Sequence, residues 1–408
     1  MGSPLEQAPY AAMMSRELGA VVISVSYRIG PFHQFPAAIH DAEDVLSAIL
    51  DTSGVSIGGN VLRTEIQRYY TMAREMILED KKTKVHAAPH LEDVKTITLD
   101  PTRLAISGFS AGGNIALNMA INVPPCPELA ITSPTLSPFG RSRSMQRGPS
   151  EAKGPSHADT MSPQMPPRRA ATVLDDTSQP WPSLLPPPQA QPRMLPLLLF
   201  YPSLDARLLP HERPMKELPN ALHSEDKQPE KPRMPGLFSI MGPTYLPRRM
   251  RPHPRASPGL TSPHNIQKNA AILLVLPEKD TLAVQSDVWV DQMNQNGWNG
   301  FVRFGDGREG DWDGHEGGTA GSSTPQSKDN GGLEVWHAPG CRHGWTQFPD
   351  SFVPKHERSE RELVFARTLD FVKENWRKEL PIPAERMGNM NQELRPLRMP
   401  SEFSGLPE

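Results

Sequence analysis

A serine hydroxyl of ordinary acidity is a poor nucleophile and needs a base, which in turn needs an orienting carboxylate. Gly108-Phe109-Ser110-Ala111-Gly112-Gly113 supplies a candidate serine in a G-x-S-x-G pattern. The five-letter match alone arises by chance in a chain of this length roughly one time in six at ordinary Gly and Ser usage. Context sharpens it. The apolar run Leu104–Ser107 reads as a buried strand before it, and Ile115, Met119 and Ile121 read as a helix after it. A sharp strand-to-helix turn strains the serine backbone and lifts its hydroxyl above the sheet, so the neighbours must be small. Gly108, Ala111, Gly112 and Gly113 meet that demand around Phe109 and Ser110. The backbone N–H of Ala111, at the helix start, can donate to a developing oxyanion. An ordinary glycine-rich strand–helix loop is the bland reading of the same residues.

The base and the carboxylate should come from other strand ends. Asp280 stands just past the apolar run Ala271–Leu276, and His343 just past Leu333–His337. The order Ser110, Asp280, His343 is the one expected for this turn type. Glu278 could replace Asp280, Asp205 also follows a strand, and His337 lies near His343. His337 falls within its strand and suits packing; Asp205 lies one strand too early and suits a pocket rim.

The segments between these groups supply their scaffold. Pro9–Gly19 is a helix closed by a glycine. Ala20–Ser26 is an apolar, β-branched run that reads as a strand covered on both faces. Pro36 suits a first helical turn, with Ala38, Ala42, Val45 and Ile49 as the apolar stripe. An insert over residues 52–98 carries a helical pattern from Arg63 to Glu79. Further strands are expected at Leu197–Tyr201, Ala271–Leu276 and Leu333–His337. Helices are expected over Leu282–Asn296 and Glu357–Lys378, the latter with Phe365, Leu369, Val372 and Trp376 on one face. Alternating strands and helices predict an α/β fold with a mostly parallel sheet and helices on both faces. Chemistry then belongs at the carboxyl edge of the sheet.

The composition bounds the rest. The 408 residues hold 46 prolines and are only 37% hydrophobic, so a real core must be interrupted by low-complexity stretches. These fall at 124–196, which is rich in Pro and Ser and includes Arg141–Gly154 and Pro180–Pro192 as mobile surface, at 305–332, and in a tail over 382–408; the whole reads as a single domain with inserts. A net charge of −3 gives no basic excess for nucleic acid. Two cysteines, Cys126 and Cys341, make no disulfide framework and suit a reducing, cytoplasmic compartment. No apolar run is long enough to span a bilayer. His86 and His90 flank Pro89 and make a poor zinc pair, and Asp306, Asp311, Asp313 and Glu316 lack calcium-loop spacing; no metal and no cofactor is expected. Pro166-Pro167 and Pro186-Pro187-Pro188 could engage SH3 or WW domains.

Several of these segments together resemble hormone-sensitive-lipase-type α/β-hydrolases. Tyr27-Arg28-Ile29-Gly30-Pro31-Phe32-His33-Gln34-Phe35-Pro36-Ala37-Ala38 is similar to the family's Y-R-L-A-P-E-x-x-F-P-A-A signature. Asp100-Pro101-Thr102-Arg103 matches D-P-x-R, Ser110-Ala111-Gly112-Gly113-Asn114 matches S-A-G-G-N, Asp280-Thr281-Leu282 matches D-x-L, and His343-Gly344-Trp345 resembles H-G-F. The resemblance implies an α/β-hydrolase fold and hydrolysis of a carboxylic ester or lipid through an acyl-serine intermediate. Phe109 departs from the family's usual Asp, and Gly30 and Phe32 from Ala and Glu. The family's H-G-G-G oxyanion loop belongs upstream of the first helix, so the resemblance leads us to expect a chain truncated before that loop, lacking the first strands and cap. His315-Glu316-Gly317-Gly318 is only superficially similar to it. A member of the same fold that binds a small apolar ligand without turning it over is the competing expectation.

Overall fold

The computed structural model describes residues 4–83, 97–129, 177, 179–187, 193–214, 242, 244–298, 300–305 and 331–378. The expectations that rest on Arg141–Gly154, Pro166-Pro167, Pro188, His86 and His90, 306–330 and 382–408 lie outside these residues.

Five parallel strands make the sheet: β1 (Ile106–Phe109), β2 (Leu195–Phe200), β3 (Ala270–Lys279), β4 (Val302–Phe304) and β5 (Leu333–Arg342), in the spatial order β1-β2-β3-β5-β4. Strands covered on both faces need nearly continuous apolar residues, and β2 and the stretch of β3 from Ala270 to Pro277 have them. Alternate side chains then sort to opposite sides. Leu197, Leu199, Ile272, Leu274, Leu333 and Val335 pack on one face, and Leu198, Phe200, Leu273, Val275 and Trp336 on the other. The first face is covered by α2 (Ala37–Leu50), α4 (Ala111–Met119) and α5 (Ala283–Gln295), through Ile39, Leu46, Leu117, Trp289 and Met293. The second is covered by α1 (Ala8–Leu18) and α6 (Lys355–Arg377), through Tyr10, Met14, Val364, Phe371 and Val372. Each such buried side chain contributes about 1.5–3 kcal/mol.

The helix α3 spans Ile57–Thr83, longer at both ends than the periodicity implied. Gly19 closes α1 in the left-handed conformation at φ 60°. Pro36 is the residue before α2 rather than in its first turn, and the buried positions are Ala38, Ile39 and Leu46, which rotates the expected stripe by about one residue. The strand expected at Leu104–Ser107 sits two residues further on. The short β4, with Phe301 and Val302 exposed and Phe304 buried, was not anticipated, because three residues give too little alternation to read.

Two expectations fail. Ala20–Ser26 is not a strand: Val21 and Val22 are each 40% exposed, and the run takes no ladder partner among the described residues. A β-branched sequence supplies propensity, but a strand exists only where neighbouring backbone groups pair with it. Nor is Pro180–Pro192 simply mobile surface. Trp181 pairs with Val123 in an antiparallel bridge, and Trp181 and Leu185 are buried in the core. Proline-rich composition hid two apolar anchors.

His253 lies beside them. Burial, and secondarily the Arg255 cation, push its imidazole down to about 4, and its Nδ1 accepts the Arg255 N–H at 3.0 Å. The unfolded chain therefore binds a proton that the native chain refuses. Stability should be full above about pH 6.5 and fall as pH drops toward 4, by about 3 kcal/mol in total. Urea unfolding of His253→Asn across that window should show a flatter pH dependence than the parent; an unchanged slope would assign the effect elsewhere.

Candidate active site

Ser110 stands between β1 and α4 with φ 55° and ψ −115°, a conformation that L residues seldom adopt and that costs about 1–3 kcal/mol. The backbone around it holds this strain in place. Its N–H donates to the Phe200 carbonyl at 2.9 Å, and its carbonyl accepts the N–H groups of Asn114 at 3.2 Å and Ser203 at 3.3 Å. The glycines of the turn are not equivalent. A Cβ on Gly108 would lie 2.1 Å from the Gly112 carbonyl oxygen, and one on Gly113 would lie 2.9 Å from Pro202, whereas one on Gly112 would meet nothing within 4 Å. The expectation that Gly112 must be small is thereby corrected: only Gly108 and Gly113 are forced by packing. Phe109 stacks on Phe200 at 4.3 Å between centroids and meets the edge of Tyr10 at 5.1 Å.

The other two residues arrive through strand register. Lys279 of β3 pairs with Arg342 of β5, so Asp280 and His343 leave the sheet side by side. His343 Nδ1 lies 2.7 Å from Asp280 Oδ2, and His343 Nε2 lies 2.9 Å from Ser110 Oγ. Asp280 is 3% exposed, and its second oxygen accepts the Leu282 N–H at 2.9 Å, which fixes the carboxylate plane. The imidazole keeps a side open to solvent. Ala111 is the first residue of α4, among the four N–H groups at a helix start that have no partner within the helix. This arrangement can move a proton from a hydroxyl to an imidazole whose charge a buried carboxylate would offset.

The rival residues are occupied elsewhere. Glu278, also buried, accepts the Gly340 N–H at 2.6 Å. His337 stacks on Phe304 at 5.0 Å within β5, and Asp205 pairs with Arg207 at 2.7 Å. His315-Glu316-Gly317-Gly318 lies outside the described residues. Among the described residues, no group of three or more His, Cys, Asp or Glu is disposed to hold a metal ion, and no helix is long and apolar enough to cross a membrane. Cys126 and Cys341 are both buried, and the Cys126 thiol donates to the Pro124 carbonyl at 3.4 Å.

Sequence reasoning missed three supports of this site. Between the pairs Pro277–Ala338 and Lys279–Arg342, β3 has one residue and β5 has three. Gly340, at φ 67°, turns this bulge, and the Glu278 carboxylate holds it. Glu357 of α6 receives the Arg342 backbone N–H at 3.0 Å and its guanidinium at 2.9 Å. Burial works to raise the Glu357 carboxyl, but the hydrogen bonds from Arg342 outweigh it and hold it below the usual range. The third support is Tyr201. Nothing in the types or spacing of these residues singles them out; only the bulge and the positive φ angles do.

Residues 1–190 match a family model described as alpha/beta hydrolase fold. The chain has the α/β-hydrolase fold, with five parallel strands and helices on both faces. It is similar at low identity to a carboxyl esterase of the mycorrhizal fungus Tuber melanosporum (14% identity over 92% of this chain and 75% of that one, TM-score 0.42). It is likewise similar to an esterase of Pyrobaculum calidifontis (14%, 91% and 72%, TM-score 0.40) and to a thermostable esterase of Pseudomonas putida (13%, 93% and 71%, TM-score 0.39). No curated protein matches the chain.

The uneven turn is testable by stability alone. Gly112→Ala, in the first turn of α4, should raise stability by about 0.5–1 kcal/mol, the helix-propensity difference. Gly108→Ala should prevent recovery of a folded protein or lower its melting temperature by many degrees. Equal behaviour of the two variants in thermal denaturation would contradict the steric account.

Proposed function

We propose that this chain is a serine hydrolase that cleaves carboxylic esters of small molecules or lipids through an acyl-serine intermediate. Ser110 Oγ attacks the ester carbonyl carbon while His343 Nε2 takes its proton, and Asp280 fixes the imidazole tautomer and offsets the imidazolium charge. The Ala111 N–H helps hold the carbonyl oxygen as it becomes an oxyanion. Collapse of that intermediate expels the alcohol, which leaves with the proton from His343. Water then attacks the acyl-serine with His343 again as base, and the carboxylic acid is released. One observation carries this reading: the unbroken hydrogen-bonded series Ser110–His343–Asp280 at 2.9 and 2.7 Å, built on a strained serine.

A fluorophosphonate probe should label the native protein at Ser110, and a p-nitrophenyl ester should give a burst of nitrophenol followed by slower turnover. Ser110→Ala should lose about 10⁴-fold or more in kcat, and Asp280→Asn about 10³–10⁴-fold with the fold intact. A folded native protein that takes no label, or an alanine variant with undiminished turnover, defeats the proposal. The first of those outcomes would favour binding of a small apolar ligand without turnover.

A further inference from the structure

The imidazole of His343 is tied at Nδ1 to one carboxylate oxygen. Its other nitrogen meets only Ser110 Oγ, the atom that must react, so the ring can swing about the Asp280 contact, and a displacement of about 1 Å at the reacting atoms can cost 10²-fold in rate. Something else must fix the second coordinate. Tyr201, the first residue after β2, is fully buried, and its backbone is held at φ 38°. The Tyr201 N–H donates to the Val275 carbonyl at 2.7 Å, which anchors the residue to the next strand. Its ring meets the His343 imidazole edge-on at 4.9 Å and Trp345 at 5.3 Å. Its hydroxyl lies 2.5 Å from Thr346 Oγ1, itself buried, in the turn that carries His343.

The same short segment holds the nucleophile. Phe200, the residue before Tyr201, accepts the Ser110 N–H, and Ser203, two residues after it, donates to the Ser110 carbonyl. Residues 200–203 therefore grip the serine by its main chain and the histidine by a side chain. We infer that Tyr201, through its ring against the imidazole and its hydroxyl bond to Thr346, is a positioning residue that sets the distance between Ser110 and His343. This rests on the hydrolase reading above. Tyr201 takes no part as an acid or base. Burial, only partly opposed by the Thr346 hydroxyl, pushes its phenol well above the ordinary tyrosine range, so it stays neutral. Its strained backbone fits the role, since a residue held at positive φ away from any chemistry would be relieved by a glycine at little loss.

Four variants of the full chain test it: Tyr201→Phe, Thr346→Val, their combination, and Thr346→Ser. Tyr201→Phe and Thr346→Val should each lower kcat for a p-nitrophenyl ester about ten-fold with KM within two-fold. Each should also slow fluorophosphonate labelling of Ser110 by a similar factor. Because both remove one bond, the double variant should be no slower than either single variant. Thr346→Ser, which keeps the hydroxyl, should restore the parent rate. Circular dichroism must show the variants folded, and any that is not is replaced by Thr346→Ser against Thr346→Ala. If the parent labels and turns over while the single variants stay within two-fold of it, or if their losses add, the positioning role is refuted. If the parent itself takes no label, the hydrolase reading fails first, and this inference fails with it.

Discussion

Parallel strands present their carboxyl ends along one edge, and pairing register alone decides which tips become neighbours. The register between β3 and β5 is the constraint on which this molecule depends. Before the bulge, Pro277 faces Ala338; after it, Lys279 faces Arg342. Had the same residues gone on pairing one-to-one past Pro277–Ala338, His343 would stand opposite Leu282, two positions beyond Asp280 rather than beside it. The bulge is held by a carboxylate on each flank. Glu278 takes the Gly340 N–H and Glu357 takes the Arg342 N–H, and both carboxylates are buried. A buried carboxylate that lost such a bond would face the full cost of desolvation, so each bond is strongly enforced. Bulges beside reactive side chains re-aim them in this way.

Much of this was legible from sequence, and the reason is physical. Ala271–Leu276 is apolar at every position, and Leu333–His337 carries Leu333, Val335 and Trp336, because both faces of the sheet are covered, so the central strands announce themselves. Ser110 lies in a turn where Gly108 and Gly113 are forced by contacts under 3 Å, and such turns leave a compositional trace. What stayed hidden depends on pairing or on long-range contacts. Ala20–Ser26 has the composition of a strand without a partner, and Val302–Phe304 is a strand without the length to show it. Trp181 lies in proline-rich sequence, yet it is buried by groups far from it in the chain. Tyr201 looks like the last residue of an apolar strand, and only its φ and its contacts with His343 and Thr346 set it apart.

The proline-rich return at residues 179–187 is more than a patch over the core, because a fully buried arginine joins it to the nucleophile turn. Arg255 donates to the carbonyls of Trp181 at 2.9 Å and of Asn118, and its guanidinium lies 4.7 Å over the Trp181 ring. Asn118 in turn donates to the Arg255 carbonyl at 2.9 Å and to Asn114. Asn114, one turn into α4 from Ser110, donates to the carbonyls of Ser203 at 2.7 Å and Ala256 at 3.0 Å. Ser203 completes the path by bonding the Ser110 carbonyl. A guanidinium without solvent must satisfy its donors inside the protein, which fixes the loops that supply the carbonyls. The asparagine after the S-A-G-G turn thus does for the serine what Tyr201 does for the histidine. It fastens segment 200–203 to α4, so the elements that hold the two reactive side chains are joined through one buried polar network.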